Sequence, residues 1–243
     1  EEALERKKNL ELFFKTSLPN KKDENWKFTD LNSIINKNFQ NITNSINFSF
    51  EKKIEPIKDF EHNQITLFNG SLKSYNIEFE DKEKIKIESL KSSEGLNNNF
   101  VNNLDYLNKA LSIGGFNLEV KENYKCKKPL VIYNYFSPDL NNKIINNSNK
   151  IKLNQNSELT VIEYNICEKD KFIKNTLENI IIDNNSILKN IIIQKTKSKG
   201  FFYKKIFGSQ GYSSSYQNYI LSSGLMFNKI EINLNLEKEN SNC

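Results

Sequence analysis

Short runs of β-branched and aromatic residues fill the chain after residue 115, and this series limits the possible folds more than any other feature. Only polar turns separate the runs, and no helix of ordinary length fits between them. Regular short strands bounded by turns are typical of a β-sandwich, a β-barrel or a β-solenoid. The runs are residues 116–120, 130–133, 150–153, 159–164, 177–182, 187–194, 201–207, 215–221 and 230–236.

Two features of this region favour the solenoid. Its turns are rich in Asn, Ser and Lys, and they rarely contain the Asn-Gly or Asp-Gly pairs that hairpins prefer. The isoleucine runs at 180–182 and 191–193 are flanked by polar residues and resemble stacked, inward-facing ladders. We therefore predict a mainly β chain built as a parallel β-helix, or β-solenoid. An antiparallel sandwich stays open as the alternative.

The first part of the chain has helical and mixed character. Strands are expected at residues 64–70, which end in an Asn-Gly turn, and at residues 74–79. We predict an N-terminal α-helical and mixed region at residues 1–114 and an incomplete parallel β-helix at residues 115–243. The helical segments are residues 2–17, with Ala3, Leu10, Phe13 and Phe14 near one face; a short helix through Leu31, Ile34 and Ile35 that Thr29 or Asp30 caps; and residues 103–113, which Gly114 and Gly115 end.

Charge and cysteine content bear on the compartment and on partners. The net charge of +5 over 243 residues is mild, and the lysines are scattered, which is typical of a solvated surface rather than of a polyanion-binding one. No apolar run is long enough for a membrane span. The acidic start is unlike a signal or transit peptide, and the three cysteines are widely spaced. We predict a cytoplasmic protein with no nucleic-acid or membrane partner.

Few residues suggest chemistry. His62, the only histidine, lies in a polar turn and is expected to be a solvated loop residue. Cys126 lies among lysines that would favour its thiolate, although no second ligand is near it in sequence, and an incidental thiol is the preferred interpretation. Cys167 is expected to be a small buried hydrophobe, and Cys243 to lie near an exposed end. The pattern predicts no metal site.

Acid–base, nucleotide and RNA sites were each considered. Glu163 and Glu178 form a conceivable acid–base pair, but acids in chains of strands and turns are usually solvated. No phosphate-binding glycine loop is present. Residues 199–205 weakly match an RNA-recognition strand. The structural alternative is that Phe201, Tyr203 and Phe207 fill one turn of the solenoid while the neighbouring lysines face water. We predict no catalytic residue.

A signature near the N-terminus adds a family resemblance. Pro19 is expected to stop the preceding helix, and Trp26 and Phe28 are expected to pin an exposed, charged passage to an apolar surface. The segment is similar to the Leu-Pro, charged, Glu-x-Trp-Lys-Tyr-Thr signature of SufD proteins in the SufB/SufD family. The matching residues are Leu18, Pro19, Glu24, Trp26, Lys27, Phe28 and Thr29.

The resemblance continues in order along the chain. Asn69 and Gly70 match the strand end that the family writes Phe-Val-Asn-Gly. Pro129 resembles its Lys-Pro-Ile start of the β region, and Glu163 its Thr-x-Ile-Glu strand. The family's Leu-Asn-x-Ala helix and following glycine are matched by Leu107, Asn108, Ala110 and Gly115.

The resemblance implies a fold and a function. Proteins of this family have a helical N-terminal region, a right-handed parallel β-helix and a C-terminal helical domain, and we expect the last of these to be absent from this sequence. The implied function is a non-catalytic scaffold for iron–sulfur cluster assembly that pairs with SufB and with the ATPase SufC. The cluster and reduced flavin are implied only for the assembled complex, so no cofactor is expected in the isolated chain.

Two other functions remain open. The first is an extracellular β-solenoid, either an adhesin or a carbohydrate-active enzyme, which the acidic N-terminus disfavours. The second is a nucleic-acid-binding β protein, whose binding would depend steeply on salt concentration.

Overall fold

The computed structural model describes residues 2–16, 18–44, 55–90, 102–137, 140–166, 171–195, 199–236 and 238–243. Its helices are α1 (Glu2–Lys15), α2 (Leu31–Asn38) and α3 (Asn103–Leu111), with a short 3₁₀ turn at Glu24–Trp26. Its strands are β1 (Thr43–Asn44), β2 (Asn63–Phe68), β3 (Ser71–Asn76), β4 (Ile85–Ser89), β5 (Phe116–Val120), β6 (Leu130–Tyr135), β7 (Lys143–Leu153), β8 (Glu158–Ile166), β9 (Ile173–Ile182), β10 (Ile187–Lys195), β11 (Phe201–Gln210), β12 (Ser215–Ser223) and β13 (Phe227–Leu236).

From β5 onward, successive strands alternate between two sheets. Sheet A has the order β13-β11-β9-β7-β5-β4, with β1 beside β7, and sheet B has the order β12-β10-β8-β6-β2-β3. All pairings between β5 and β13 are parallel: Ile144 pairs with Ile173, and Ile173 pairs with Phe201. Each turn therefore stacks on the previous one, which makes a β-solenoid of about four turns. The predicted parallel β-helix is confirmed, and a hairpin-connected sandwich is excluded.

Antiparallel pairs occur where the solenoid begins. β2 and β3 form a hairpin whose turn is Asn69-Gly70, with φ of 46° and 87°. Both angles lie in the left-handed region, which Gly and Asn tolerate best, so the predicted Asn-Gly turn is confirmed. β4 pairs with β5 in the same antiparallel manner, and the sequence analysis did not predict β4. The boundary at residue 115 stays a prediction.

Asparagines stack at one corner of the solenoid. Asn123, Asn156 and Asn185 each have φ near 58°, in the left-handed conformation that Asn adopts more readily than most residues. The side-chain amide of Asn156 donates to Asn123 Oδ1 at 2.8 Å, and that of Asn185 donates to Asn156 Oδ1 at 3.0 Å. The Asn-rich turns are therefore part of the repeat, because each turns the chain and bonds to the one below.

The solenoid core is apolar and lies between the two sheets. Leu130, Val161 and Leu188 enter it from sheet B, while Ile151 and Ile180 enter it from sheet A. All five are nearly inaccessible to solvent. Because side chains alternate across a strand, the residues between them point outward.

The helices cover the outward face of sheet A. One apolar cluster joins Trp26, Leu31 and Leu104 to Tyr203 of β11, and a second joins Phe39 to strands β7, β9 and β11. Asp30 caps α2 by accepting from Ser33 N at 3.0 Å, as one of the two predicted caps. The face predicted for α1 is wrong at Ala3 and Phe14, which are exposed because α1 contacts α3 along a different stripe.

Candidate functional site

The signature segment anchors to sheet A through Trp26. Its ring is 3% exposed and packs against Tyr203 and Phe227, at centroid distances of 5.8 and 6.4 Å. Lys229 Nζ lies 4.6 Å above the ring and donates to the Asn25 carbonyl at 2.7 Å. The predicted anchoring by Trp26 is confirmed. The same prediction for Phe28 is wrong, because its ring is 90% exposed.

The other signature residues of this segment support its turn. Thr29 N donates to the Trp26 carbonyl at 2.7 Å, which closes the chain after the aromatic anchor. Pro19 is buried and Leu18 packs against the Trp26 cluster, while Glu24 and Lys27 are exposed. Helix α1 ends at Lys15, before Pro19.

Helix α3 is fixed to the sheet by Asn108. This side chain is fully buried, donates to the carbonyls of Asn147 (3.0 Å) and Asn175 (2.7 Å), and accepts from Ser148 Oγ at 2.8 Å. Ala110 is buried and Leu107 is half-buried on the same helix. Gly115 follows with φ of 150°, and a Cβ there would clash with the Ser148 carbonyl. Only glycine lets the chain pass so close to β7.

Four charged side chains form a cluster inside the solenoid. Glu163 enters from sheet B and meets Lys174 (3.2 Å) and Lys204 (2.5 Å) from sheet A. Lys204 also lies 2.9 Å from Glu178. None of the four side chains is more than 5% exposed. We call Glu163, Glu178, Lys174 and Lys204 the interior charge cluster.

Asparagines and aromatic rings surround the interior charge cluster. Asn134 and Asn165 donate to Glu163 Oε1 at 3.2 and 3.3 Å, and Asn165 accepts from Lys174 at 3.0 Å. The ammonium of Lys174 also lies 5.5 Å from the ring centroids of Phe136 and Phe202. Buried charges are tolerated when such partners satisfy them.

The cluster shifts the pKa values of its members. Burial raises the pKa of Glu163, but Lys204 and Lys174 outweigh burial and lower it to about 2. Burial dominates at Lys174 and lowers its pKa, whereas the carboxylates overcome burial at Lys204 and raise its pKa. The expectation that Glu163 is solvated is wrong. With two acids and two lysines the cluster is balanced and enclosed, so its arrangement suits holding the sheets together.

The lysines of residues 199–205 do not face water, which corrects the second sequence expectation. Lys204 points into the solenoid, and Lys205 forms an ion pair with Asp105 of α3 at 2.5 Å. Phe201, Tyr203 and Phe207 lie on the outward face of sheet A and are each 3% exposed. Rings that stack on bases must be accessible, and these rings are covered.

His62 is buried rather than solvated. Its ring is within hydrogen-bonding distance of the Phe60 carbonyl (Nδ1, 2.8 Å) and of the Tyr133 hydroxyl (Nε2, 2.8 Å), and the residue is only 6% exposed. The long-range contact with β6 explains why its polar sequence neighbours were misleading. These two bonds make His62 a packing residue of this corner.

Cys126 is not an activated thiol. Burial raises its pKa to about 12, and the nearby carboxylate of Glu80 adds to the effect. Glu80 accepts from the Lys127 and Lys128 backbone amides, so the local positive charge does not reach the sulfur unopposed. Cys243 is exposed, and Cys167 lies outside the described residues. In the described parts of the chain, no three His, Cys, Asp or Glu side chains are grouped to hold a metal.

The last turn of the solenoid exposes apolar side chains. Tyr219, Ile220 and Leu221 of β12 are 56%, 43% and 63% exposed, and Leu236 of β13 is 55% exposed. Within the described residues, β12 pairs with β10 and with an isolated bridge at Asn242, while β13 pairs only with β11. We call the exposed part of β12 and β13 the terminal face. It combines apolar side chains with unpaired strand edges, which is the composition of an interaction surface.

Comparison with known proteins adds no family assignment. The chain matches no protein-family model, and no curated protein matches it. None of the helices that the structure describes has the length and apolar character needed to cross a membrane.

Proposed function

We propose that this chain is a SufD-like scaffold subunit of iron–sulfur cluster assembly that catalyses no reaction itself. The observation that carries the proposal is the terminal face. Its exposed Tyr219, Ile220 and Leu221 lie beside strand edges that can pair with another chain. A partner that continues the solenoid would bury these side chains and satisfy both edges. SufB, the partner that the resemblance implies, is itself SufB/SufD-like and fits that requirement.

The positions of the signature residues support a structural role for them. Trp26 anchors the N-terminal segment, Asn69 and Gly70 form a turn, Asn108 fixes α3, and Glu163 pairs with lysines inside the solenoid. Pro129 lies just before β6, where its carbonyl accepts from Asn63 N at 2.8 Å. Residues that hold a fold together in sequence order are what a scaffold family would retain.

The described cysteines do not fit an iron–sulfur site. Cluster ligands are thiolates, whereas burial keeps the Cys126 thiol protonated and no other ligating side chains are grouped around it among the described residues. We therefore place cluster assembly and reduced flavin in the complex with SufB and SufC. The proposed contribution of this chain is the surface that completes that complex in the cytoplasm.

Co-purification tests the proposal. The affinity-tagged chain is co-expressed with SufB and SufC from the same organism, and retained proteins are quantified. We expect SufB to be retained by the wild type and to be lost from a variant with Ile220→Asp and Leu221→Asp. Tyr75→Asp is the matched control, because Tyr75 is 50% exposed on β3 at the opposite edge of sheet B. Failure of the wild type to retain SufB would overturn the proposal.

A further inference from the structure

An apolar cavity of about 240 Å³ lies between the helices and the outward face of sheet A. Its wall consists mainly of leucine, isoleucine and phenylalanine side chains, among them Ile35, Leu107, Leu111 and Ile173. Empty apolar volume destabilises a fold in proportion to its size. Apolar cavities of ~150 Å³ already take up benzene. This cavity therefore fits a molecule of one or two fused aromatic rings.

Asn175 gives the cavity wall a buried acceptor. The side chain is fully buried, and its Nδ2 donates to the Leu104 carbonyl and to Asn146 Oδ1, both at 2.9 Å. These two acceptors fix the orientation of the amide. Asn175 Oδ1 is buried without a hydrogen-bond partner among the residues that the structure describes. A buried acceptor without a donor is costly, so this atom requires a donor from outside the described chain.

The other polar groups of the wall add no free donor. Asn44 Oδ1 is likewise buried and has no partner in the described ranges. The Tyr203 hydroxyl donates to Glu231 at 3.0 Å and accepts from Asn102 at 2.7 Å, so its proton is already used. A buried water needs two to four polar partners, which this wall does not provide around Asn175. A larger ligand with one donor and an apolar body matches the wall better.

We propose that this cavity binds a small aromatic molecule that carries a single N–H or O–H donor and has about the size of indole. The donor bonds to Asn175 Oδ1, and the rings pack against Leu107, Leu111 and Ile173. The inference does not depend on the scaffold function, because the cavity lies under the helices and the terminal face lies on β12 and β13.

A pair of probes tests the donor. Indole and benzothiophene have the same fused-ring shape, but sulfur replaces the N–H in benzothiophene. Calorimetric titration of the full chain should give one indole site and at least about tenfold weaker binding of benzothiophene, because an unmet buried acceptor remains in that complex. Equal affinities would overturn the assignment of the donor to Asn175. No indole binding at millimolar concentration would overturn the site.

Cavity-filling variants test the location. Leu107→Phe and Ile35→Phe fill the space from two different helices, and each should weaken indole binding by at least about tenfold in a chain with an unchanged circular dichroism spectrum. Leu4→Phe is the control, because Leu4 is 72% exposed on α1. In the wild type, which is needed if both variants unfold, nuclear Overhauser effects should connect indole protons with the methyl groups of Leu107 and Ile173. Unchanged binding in a folded filling variant, or contacts only elsewhere, would contradict the proposal.

Discussion

Lys204 Nζ lies 2.5 Å from Glu163 Oε2 across the interior of the solenoid, and the two side chains are 4% and 5% exposed. The bond joins β11 of sheet A to β8 of sheet B, two strands far apart in sequence. An ion pair in this position links the sheets directly, and Lys174 and Glu178 complete its charge balance.

Removal of the Glu163 charge should therefore destabilise the fold. Glu163→Gln leaves Lys174 and Lys204 with too little negative charge in a buried site, and breaking a buried pair costs about 3–5 kcal/mol. We expect urea unfolding to show a loss of that size. Glu158→Gln is the control, because Glu158 pairs with the exposed Lys125 and should cost about 1 kcal/mol or less. Similar losses in the two variants would contradict the role of the interior charge cluster.

Acid should erase the difference between the wild type and Glu163→Gln. The pKa of Glu163 is lowered from 4.5 to about 2 in the folded chain, so its ionised form stabilises the fold. That stabilisation is fully present above the unfolded pKa and is lost as pH falls from about 4.5 to about 2. The gap in unfolding free energy should shrink between pH 7 and pH 3. A gap that stays constant over this range would contradict the assignment.

The two aromatic residues of the signature segment should respond differently to truncation. Trp26→Ala removes a ring buried against Tyr203 and Phe227, and such substitutions cost about 3–5 kcal/mol. Phe28→Ala removes a ring that is 90% exposed and should change stability by less than about 0.5 kcal/mol. Urea unfolding followed by circular dichroism measures both. Equal effects would show that the segment does not anchor through Trp26.

The exposed and buried thiols should differ in reactivity. Burial raises the pKa of Cys126 to about 12, and the thiolate is the reactive form. Cys243 is exposed, so access does not limit it, although partial burial raises its pKa as well. Peptide mapping after timed iodoacetamide treatment at pH 8 should find Cys243 modified well before Cys126. Faster modification of Cys126 would indicate that its surroundings are open.

The strands could be predicted because inward and outward residues alternate along them. The apolar runs of β9 and β10 have this pattern, and their asparagine-rich ends mark the turns. The same alternation held information that the sequence analysis did not use. Ile180 and Ile182 point inward, so Glu178 and Lys174 had to point inward as well. Charged residues in phase with a buried ladder were the available signal for the interior charge cluster.

Other parts of the candidate sites depend on contacts that no local pattern contains. The bond between His62 and Tyr133 joins residues from separate strands, and the pair of Asp105 with Lys205 joins α3 to β11. The cavity beside Asn175 exists only because α2 and α3 lie over sheet A. Sequence spacing gives each element, but it does not say which elements meet.

Sedimentation velocity of the purified chain mixed with purified SufB tests the central claim most directly. The scaffold account predicts a new, faster boundary for the wild type and for Tyr75→Asp, and separate boundaries when Ile220 and Leu221 are both replaced by Asp. Separate boundaries for the wild type, or a complex that survives those replacements, would contradict the assignment of the terminal face as the SufB-binding surface.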